Sequence, residues 1–266
     1  MQKLFRRWLL LGAMGFASTM FAQLSVSSSL PFKNFLLYDN IPLRLEITNS
    51  TGEAIVLSEE DAENHVMLRV RNLDNQIIPR TDVPLLAEPW LIPDGETSVR
   101  EFDLVRLFKI RRDRSYRGLQ HVVVDGDTYD GPPLLFDVKK GMLLDELVRK
   151  KEDRVFSLFG LNQSGGDVLI LRVTDRDKSV TLGTHFLERH LRFYPPHLKV
   201  NKKGEIGVLH YVGPRQAVLC TFSPDGVNGK REYFSVSPGV PIRLHPGDTT
   251  PFVVEGATPV SAGGSR

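Results

Sequence analysis

Apolar and polar residues alternate with a period of two along most of this chain, and that is the repeat of a β-strand rather than of a helix. In IPLRLEITNSTGEAIVL, Leu43, Leu45 and Ile47 alternate with Arg44, Glu46 and Thr48, as in a strand with one buried face. NSTGE (49–53) supplies turn residues and AIVL returns as the partner strand. HVMLRVRN repeats the pattern through Val66, Leu68 and Val70 before LDNQ turns into IIP. PWLIPDGETS, VREFDLVRLFKI and YRGLQHVVVDGDTYDGPPLLFDVKK continue it. Short strands recurring every ~8–12 residues predict an antiparallel sandwich, here over residues 24–140.

The second half follows the same rule. DVLILRV, SVTLGTHFL, LRFYPPHLKV, EIGVLHYV, QAVLCTF, KREYFSV, PIRLH and PFVVEG are separated by turn clusters such as NQSGG, NKKG, SPDGVNG and SPGV. They predict a second antiparallel β-domain over 157–256, a sandwich or barrel-like unit, with 257–266 as a loose tail. HLKVNKKGEIGVLHYVGPRQAVLCTFSPDG is similar to one blade of a β-propeller repeat, but it occurs once and a propeller needs several blades. Between the halves lies a linker, 141–156, containing KKGMLLDELVRKKEDR. Its Leu143, Leu144, Leu147 and Val148 fall at helical spacing, with Asp145 and Glu146 early and Arg149, Lys150 and Lys151 late, which fits a short helix. A strand running on into FSLFGL fits as well. The expected fold class is therefore all-β: two antiparallel β-sandwich modules joined by a short linker, helical if the leucine spacing decides it.

MQKLFRR is basic, WLLLGAMGFASTMF is an apolar stretch of 14 residues, and polar QLSVSSS follows. A helix needs about 20 residues to span hydrocarbon, so residues 1–22 read as a secretory signal peptide. Cleavage after Ala22 keeps the whole apolar run, whereas cleavage after Ala17, with Gly15 upstream, suits the small-residue rule better. An uncleaved anchor helix is the alternative. No later segment reaches 18 consecutive apolar residues, so no transmembrane segment is expected in the mature chain. Without Lys3, Arg6 and Arg7, 31 basic residues face 32 acidic ones, which gives no ground for binding nucleic acid or an anionic membrane. Cys220 is the one cysteine, so no internal disulfide forms, and in AVLCTF it reads as a small buried structural thiol. An exported, disulfide-free chain suits a periplasmic or extracellular location in a bacterium.

IPLRLEITNSTGEAIVL, IPDGETSVREFDL, RSYRGLQHVVV and LLFDV together resemble an immunoglobulin-like or fibronectin type III-like domain of exported bacterial proteins. The resemblance covers residues 30–140 and implies an antiparallel β-sandwich. It also implies that Tyr116 is a tyrosine-corner residue whose hydroxyl bonds upstream backbone. No Cys–Trp–Cys core is present, so an antibody-type domain is not implied.

DGDTYDG (125–131) raises two readings. Asp125 and Asp127 match the first ligands of a calcium loop, but Asp130 is one place late and Phe136 stands where a bidentate glutamate belongs. The flanking apolar runs VVV and LLF, with Asp and Gly between them, fit a hairpin tip. His185, His190, His197 and His210 lack the spacing of a zinc motif and read as strand or surface histidines. KIRRDRSYRG gathers Lys109, Arg111, Arg112, Arg114 and Arg117 around one aspartate, either an anion-contacting patch or charges that keep a sheet edge from aggregating. Glu59, Glu60 and Asp61 read as solvated loop acids rather than a glycosidase pair. No phosphate loop and no G-x-S-x-G elbow occurs.

These readings point to an exported non-catalytic module, without cofactor, that binds or scaffolds another envelope or extracellular protein, or a surface glycan. The alternatives are a hydrolase or carbohydrate-active enzyme whose site is built from distant loops, using the acidic loops and the four histidines, and a calcium-dependent adhesin using Asp125, Asp127 and Asp130.

Overall fold

Wherever the period-two pattern is strict, the chain forms a strand, and all but one of the pairings are antiparallel. The computed structural model describes residues 23–178, 180–247 and 252–260; the expected leader, 1–22, and the last residues of the chain lie outside them. The first half contains β1 (Gln23–Ser29), β2 (Asn34–Leu36), β3 (Pro42–Ser50), β4 (Ile55–Leu57), β5 (His65–Asn72), β6 (Trp90–Ile92) and β7 (Thr97–Asp103). A single helical turn, α1 (Leu104–Leu107), precedes β8 (Arg114–Val124), β9 (Asp127–Asp130) and β10 (Leu134–Lys139). One layer has the order β1-β3-β7, with β4 and β6 paired beside it; the other has the order β2-β10-β8-β5, with β9 folded back on β8. Leu43, Leu45 and Ile47 of β3 point into a core shared with Phe35, Trp90, Tyr116 and Phe136. Burying side chains of this size stabilises by roughly 1.5–3 kcal/mol each before chain entropy is counted.

Local chemistry sets the corners. Buried Asn49 organises the NSTGE turn: its amide donates to the carbonyls of Glu53 and Ile92, and its oxygen accepts from the backbone and hydroxyl of Thr51. Asp125 and Gly126 both have positive φ (51° and 81°) and join Val124 to its partner Asp127, the geometry of a two-residue hairpin turn. The Tyr116 hydroxyl donates to the carbonyl of Arg112, 2.9 Å away, and the ring stacks on Phe136.

The second half is layered three deep. β11 (Met142–Arg149), β12 (Arg154–Gln163), β13 (Gly166–Asp175) and β14 (Val180–Arg189) form a meander in chain order. β15 (His197–Val200), β16 (Ile206–Gly213), β17 (Gln216–Phe222) and β18 (Asn228–Val236) form a second sheet, and β19 (Arg243–Pro246) pairs with β20 (Phe252–Glu255). One face of the second sheet packs Val208, Val218, Cys220 and Phe222 against Phe156, Leu158, Leu169 and Leu171 of the meander. The opposite face packs Leu209, Tyr211, Leu219 and Phe234 against Ile242, Leu244 and Phe252. Covered on both sides, β16 and β17 read as near-continuous apolar runs instead of alternating ones.

Two expectations are corrected. The 141–156 linker is a strand rather than a helix or a spacer: β11 begins three residues after β10 ends and pairs with β12. Its helix-like leucine spacing comes from a bulge between Leu143 and Asp145, which lets Leu144 and Leu147, three residues apart, both reach the core. A helix this short gains little on its own, whereas the β12 edge offers a full hydrogen-bond ladder. The tail is not loose from 257, because β21 (Ala257–Pro259) pairs with β18 and Val260 donates to the Tyr233 carbonyl.

The halves meet across a packed seam. Leu36 of β2 joins Leu161 and Ile170 in one buried cluster, and Phe32 stacks on Phe186 at 4.5 Å. Asp39, 2% exposed, accepts from Arg172 and from the Thr184 hydroxyl, while Arg172 also donates to the Leu37 carbonyl. Burial pushes the Asp39 carboxyl above its ordinary pKa despite the opposing Arg172 charge.

Candidate functional site

The residues singled out from the sequence do not converge. Asp125 lies in the hairpin turn and Asp127 directly after it, and Asp130 is taken up by His121 Nδ1 at 2.5 Å. Among the described residues no group of three or more His, Cys, Asp or Glu side chains is placed to hold a metal. Arg114 and Arg117 lie three apart on β8, so their side chains leave opposite faces. Arg114 lines a shallow depression with Asp74 and Asp113, while Arg117 sits across from Arg71 of β5, two residues from Arg69. Lys109, Arg111 and Arg112 precede the strand and are exposed. The basic row that the fold creates is thus Arg69, Arg71 and Arg117, drawn from two strands.

The acidic loop is structural. Burial raises the Glu59 pKa, but hydrogen bonds from Arg80 and from the backbone of Leu85 and Leu86 outweigh that and hold it below the usual range. Asp61 caps its own loop by accepting from the backbone of Glu63 and Asn64, which lowers its pKa, and Glu60 is exposed. Cys220 is fully buried, and desolvation pushes its thiol up to about 11, so it is not a thiolate at neutral pH.

Burial lowers the pKa of all four histidines, which are neutral at pH 7. His185 packs on Phe222. The rings of His190 and His210 lie 5.9 Å apart, and His210, with no exposure and neither nitrogen hydrogen-bonded, is driven down to about 3. Tyr211 backbone opposes that shift, but no hydrogen bond of normal geometry forms.

His190 lines a small cavity of about 260 Å³ with Asp167, Arg192, Met142 and Pro195. Asp167 is saturated there: Arg192 donates to both oxygens at 2.5 and 2.8 Å and Asn162 adds a third bond, so its pKa falls and it is no free base.

On the other side of Pro195 opens a cleft of about 750 Å³. Three sequence-distant segments wall it. The first is the turn Leu191–Tyr194, closed by Tyr194 N–H donating to the Leu191 carbonyl and pinned to β16 by Leu191 N–H donating to Tyr211. The second is the β16–β17 connection carrying Pro214 and Arg215. The third is SPGVPI (237–242), a turn with Pro238 and then Gly239 at φ 78°, closed by Val240 N–H donating to Ser237. Its far end is fastened at Ile242, whose carbonyl pairs with His197 Nε2 at 3.1 Å. Gly256 lets this wall approach, since a Cβ there would lie 2.3 Å from the Pro241 oxygen.

Inside the cleft, Tyr194 stacks on Tyr211 with ring centroids 4.2 Å apart. Tyr211 is buried and Tyr194 is 42% exposed, so the pair presents one fixed aromatic surface to solvent. Arg215 and Arg243 stand at the rim. Neither makes an ion pair among the described residues, and no carboxylate lines the cleft. An apolar concavity of this size with a few polar groups suits ligand binding. Sequence reasoning passed over it because FYPP, GPR and SPGV look like ordinary turns; three proline-bearing turns were the available signal.

No family model and no curated protein matches the chain. Among solved structures it is similar to the CARDB domain of the PF1109 protein from Pyrococcus furiosus, crystallised with di-metal ions (14% identity, 45% of this chain and 90% of that one, TM-score 0.28). It is also similar to Spo0M, a sporulation control protein from Bacillus subtilis (9% identity, 80% of this chain and 90% of that one, TM-score 0.28). Both likenesses are too distant to transfer a ligand or a partner.

Proposed function

We propose that this chain is an exported, non-catalytic binding module that recognises an envelope or extracellular component through the Tyr194–Tyr211 cleft. The supporting observation is the cleft itself: a walled apolar concavity with a fixed aromatic surface and two guanidinium groups that make no ion pair among the described residues. The first half, with two facing layers and the Tyr116–Arg112 corner, is read as an immunoglobulin-like sandwich that carries the binding half. Catalysis has little to work with near the cleft: Asp167 of the adjoining cavity is held by Arg192, and Glu255, opposite Arg243, is engaged with His245.

Amide chemical-shift mapping of the full chain against envelope polysaccharide and peptide fractions tests the site. Shifts are expected at Tyr194, Tyr211 and 237–242, with the ligand mass unchanged afterwards. Shifts confined elsewhere, or recovery of a cleaved ligand, refute the proposal. Export is tested by N-terminal sequencing of protein from periplasm and medium, which should begin at Gln23 or Ser18.

A further inference from the structure

We infer that the ligand of this cleft is an acidic saccharide, with a sugar ring lying on Tyr194 and its carboxylate held by Arg215 and Arg243. This rests on reading the cleft as the binding site and adds the class of ligand.

Charge is the first ground. Arg215 and Arg243 are exposed at the rim, and among the described residues no acid lines the cleft. The one carboxylate opposite Arg243 in the β19–β20 pairing, Glu255, is engaged with His245 at 3.1 Å. A guanidinium with no ion-pair partner among the described residues, beside largely apolar walls, is complementary to a carboxylate, which it grips through two parallel hydrogen bonds.

The aromatic surface is the second ground. Tyr211 backs one face of Tyr194 and is itself buried in the cluster that holds Ile242 and Phe234, so the platform is held before any ligand arrives. The axial C–H groups of a pyranose form a flat, slightly positive apolar patch that matches the negative face of such a ring.

The rim decides between a saccharide and an acidic peptide. A peptide that adds as a strand needs a row of backbone donors and acceptors along its groove. Pro195, Pro214, Pro238 and Pro241 remove the N–H at four rim positions, and the walls are turns rather than a strand edge. A sugar acid needs no main-chain ladder.

Isothermal titration of the full chain with oligogalacturonate, hyaluronan oligosaccharide, methyl-esterified oligogalacturonate and a proline-rich, glutamate-bearing peptide tests this. At least one acidic saccharide should bind and shift the Tyr194 and 237–242 amides. Esterification, Tyr194→Ala and the double change Arg215→Ala/Arg243→Ala should each weaken binding about tenfold or more at unchanged thermal midpoint, while Tyr194→Phe keeps it. Equal binding of the ester and the acid overturns carboxylate recognition. Binding of the peptide alone at these amides overturns the ligand class yet leaves the cleft as the binding site. Absence of shifts there with every probe and with the envelope fractions removes both.

Discussion

Acid should destabilise this protein, and His210 in its second half should be a main cause. The imidazole is fully buried with both nitrogens unbonded, and its pKa is about 3 in the folded chain. Unfolded, it titrates near 6.5. Below about pH 6.5 the unfolded chain therefore binds a proton that the native state refuses, so stability falls as the pH falls, through the window down to the folded value. For one such group the loss is negligible near pH 7.5, about 2 kcal/mol at pH 5 and about 3 kcal/mol at pH 4. His210→Leu removes the group at nearly constant volume and also removes two unsatisfied nitrogens. Urea unfolding followed by near-ultraviolet circular dichroism gives the comparison across pH. The variant should match or exceed the parent at neutral pH and gain about 2 kcal/mol on it by about pH 5. His185, His190, His197 and the carboxylates titrate in both proteins, so the difference between the two curves isolates His210. Parallel curves would refute the reasoning and mean that the native state protonates His210 without penalty.

Arg172→Leu leaves the Asp39 carboxylate buried without its cation, and calorimetry should show a loss of about 3–5 kcal/mol with the single transition splitting in two as the halves uncouple. Asp39→Asn in the same chain should recover part of it. Gly256→Ala combines φ 81° with a 2.3 Å approach to Pro241, so it should cost about 1–3 kcal/mol and weaken any cleft ligand, because the SPGVPI wall has to move. Tyr116→Phe removes the bond to Arg112 and should cost about 0.5–1.5 kcal/mol in urea, without effect on the cleft.

Legibility followed the range of the interaction. Alternating strands such as Leu43–Ile47 and Val66–Val70 could be read directly, because one buried face writes itself into every second residue. The Asp125–Gly126 turn was equally readable, since its positive φ values are a local demand. The linker misled because a bulge turns period two into a spacing of three, and a bulge is visible only once β12 supplies the register. The basic cluster of KIRRDRSYRG looked like one patch, yet strand alternation divided Arg114 from Arg117 and recruited Arg69 and Arg71 from β5.

The sequence by itself determined that the chain is built of strands, where most turns fall, and that Cys220 forms no internal disulfide, because these depend on neighbours a few residues apart. Only the tertiary structure decided which strands lie side by side, that Asp39 meets Arg172 across the seam, and that Tyr194, Arg215 and Ile242 enclose one cleft. Those facts depend on residues tens to more than a hundred positions apart, brought together by burial of shared apolar faces, and no local pattern encodes such a meeting.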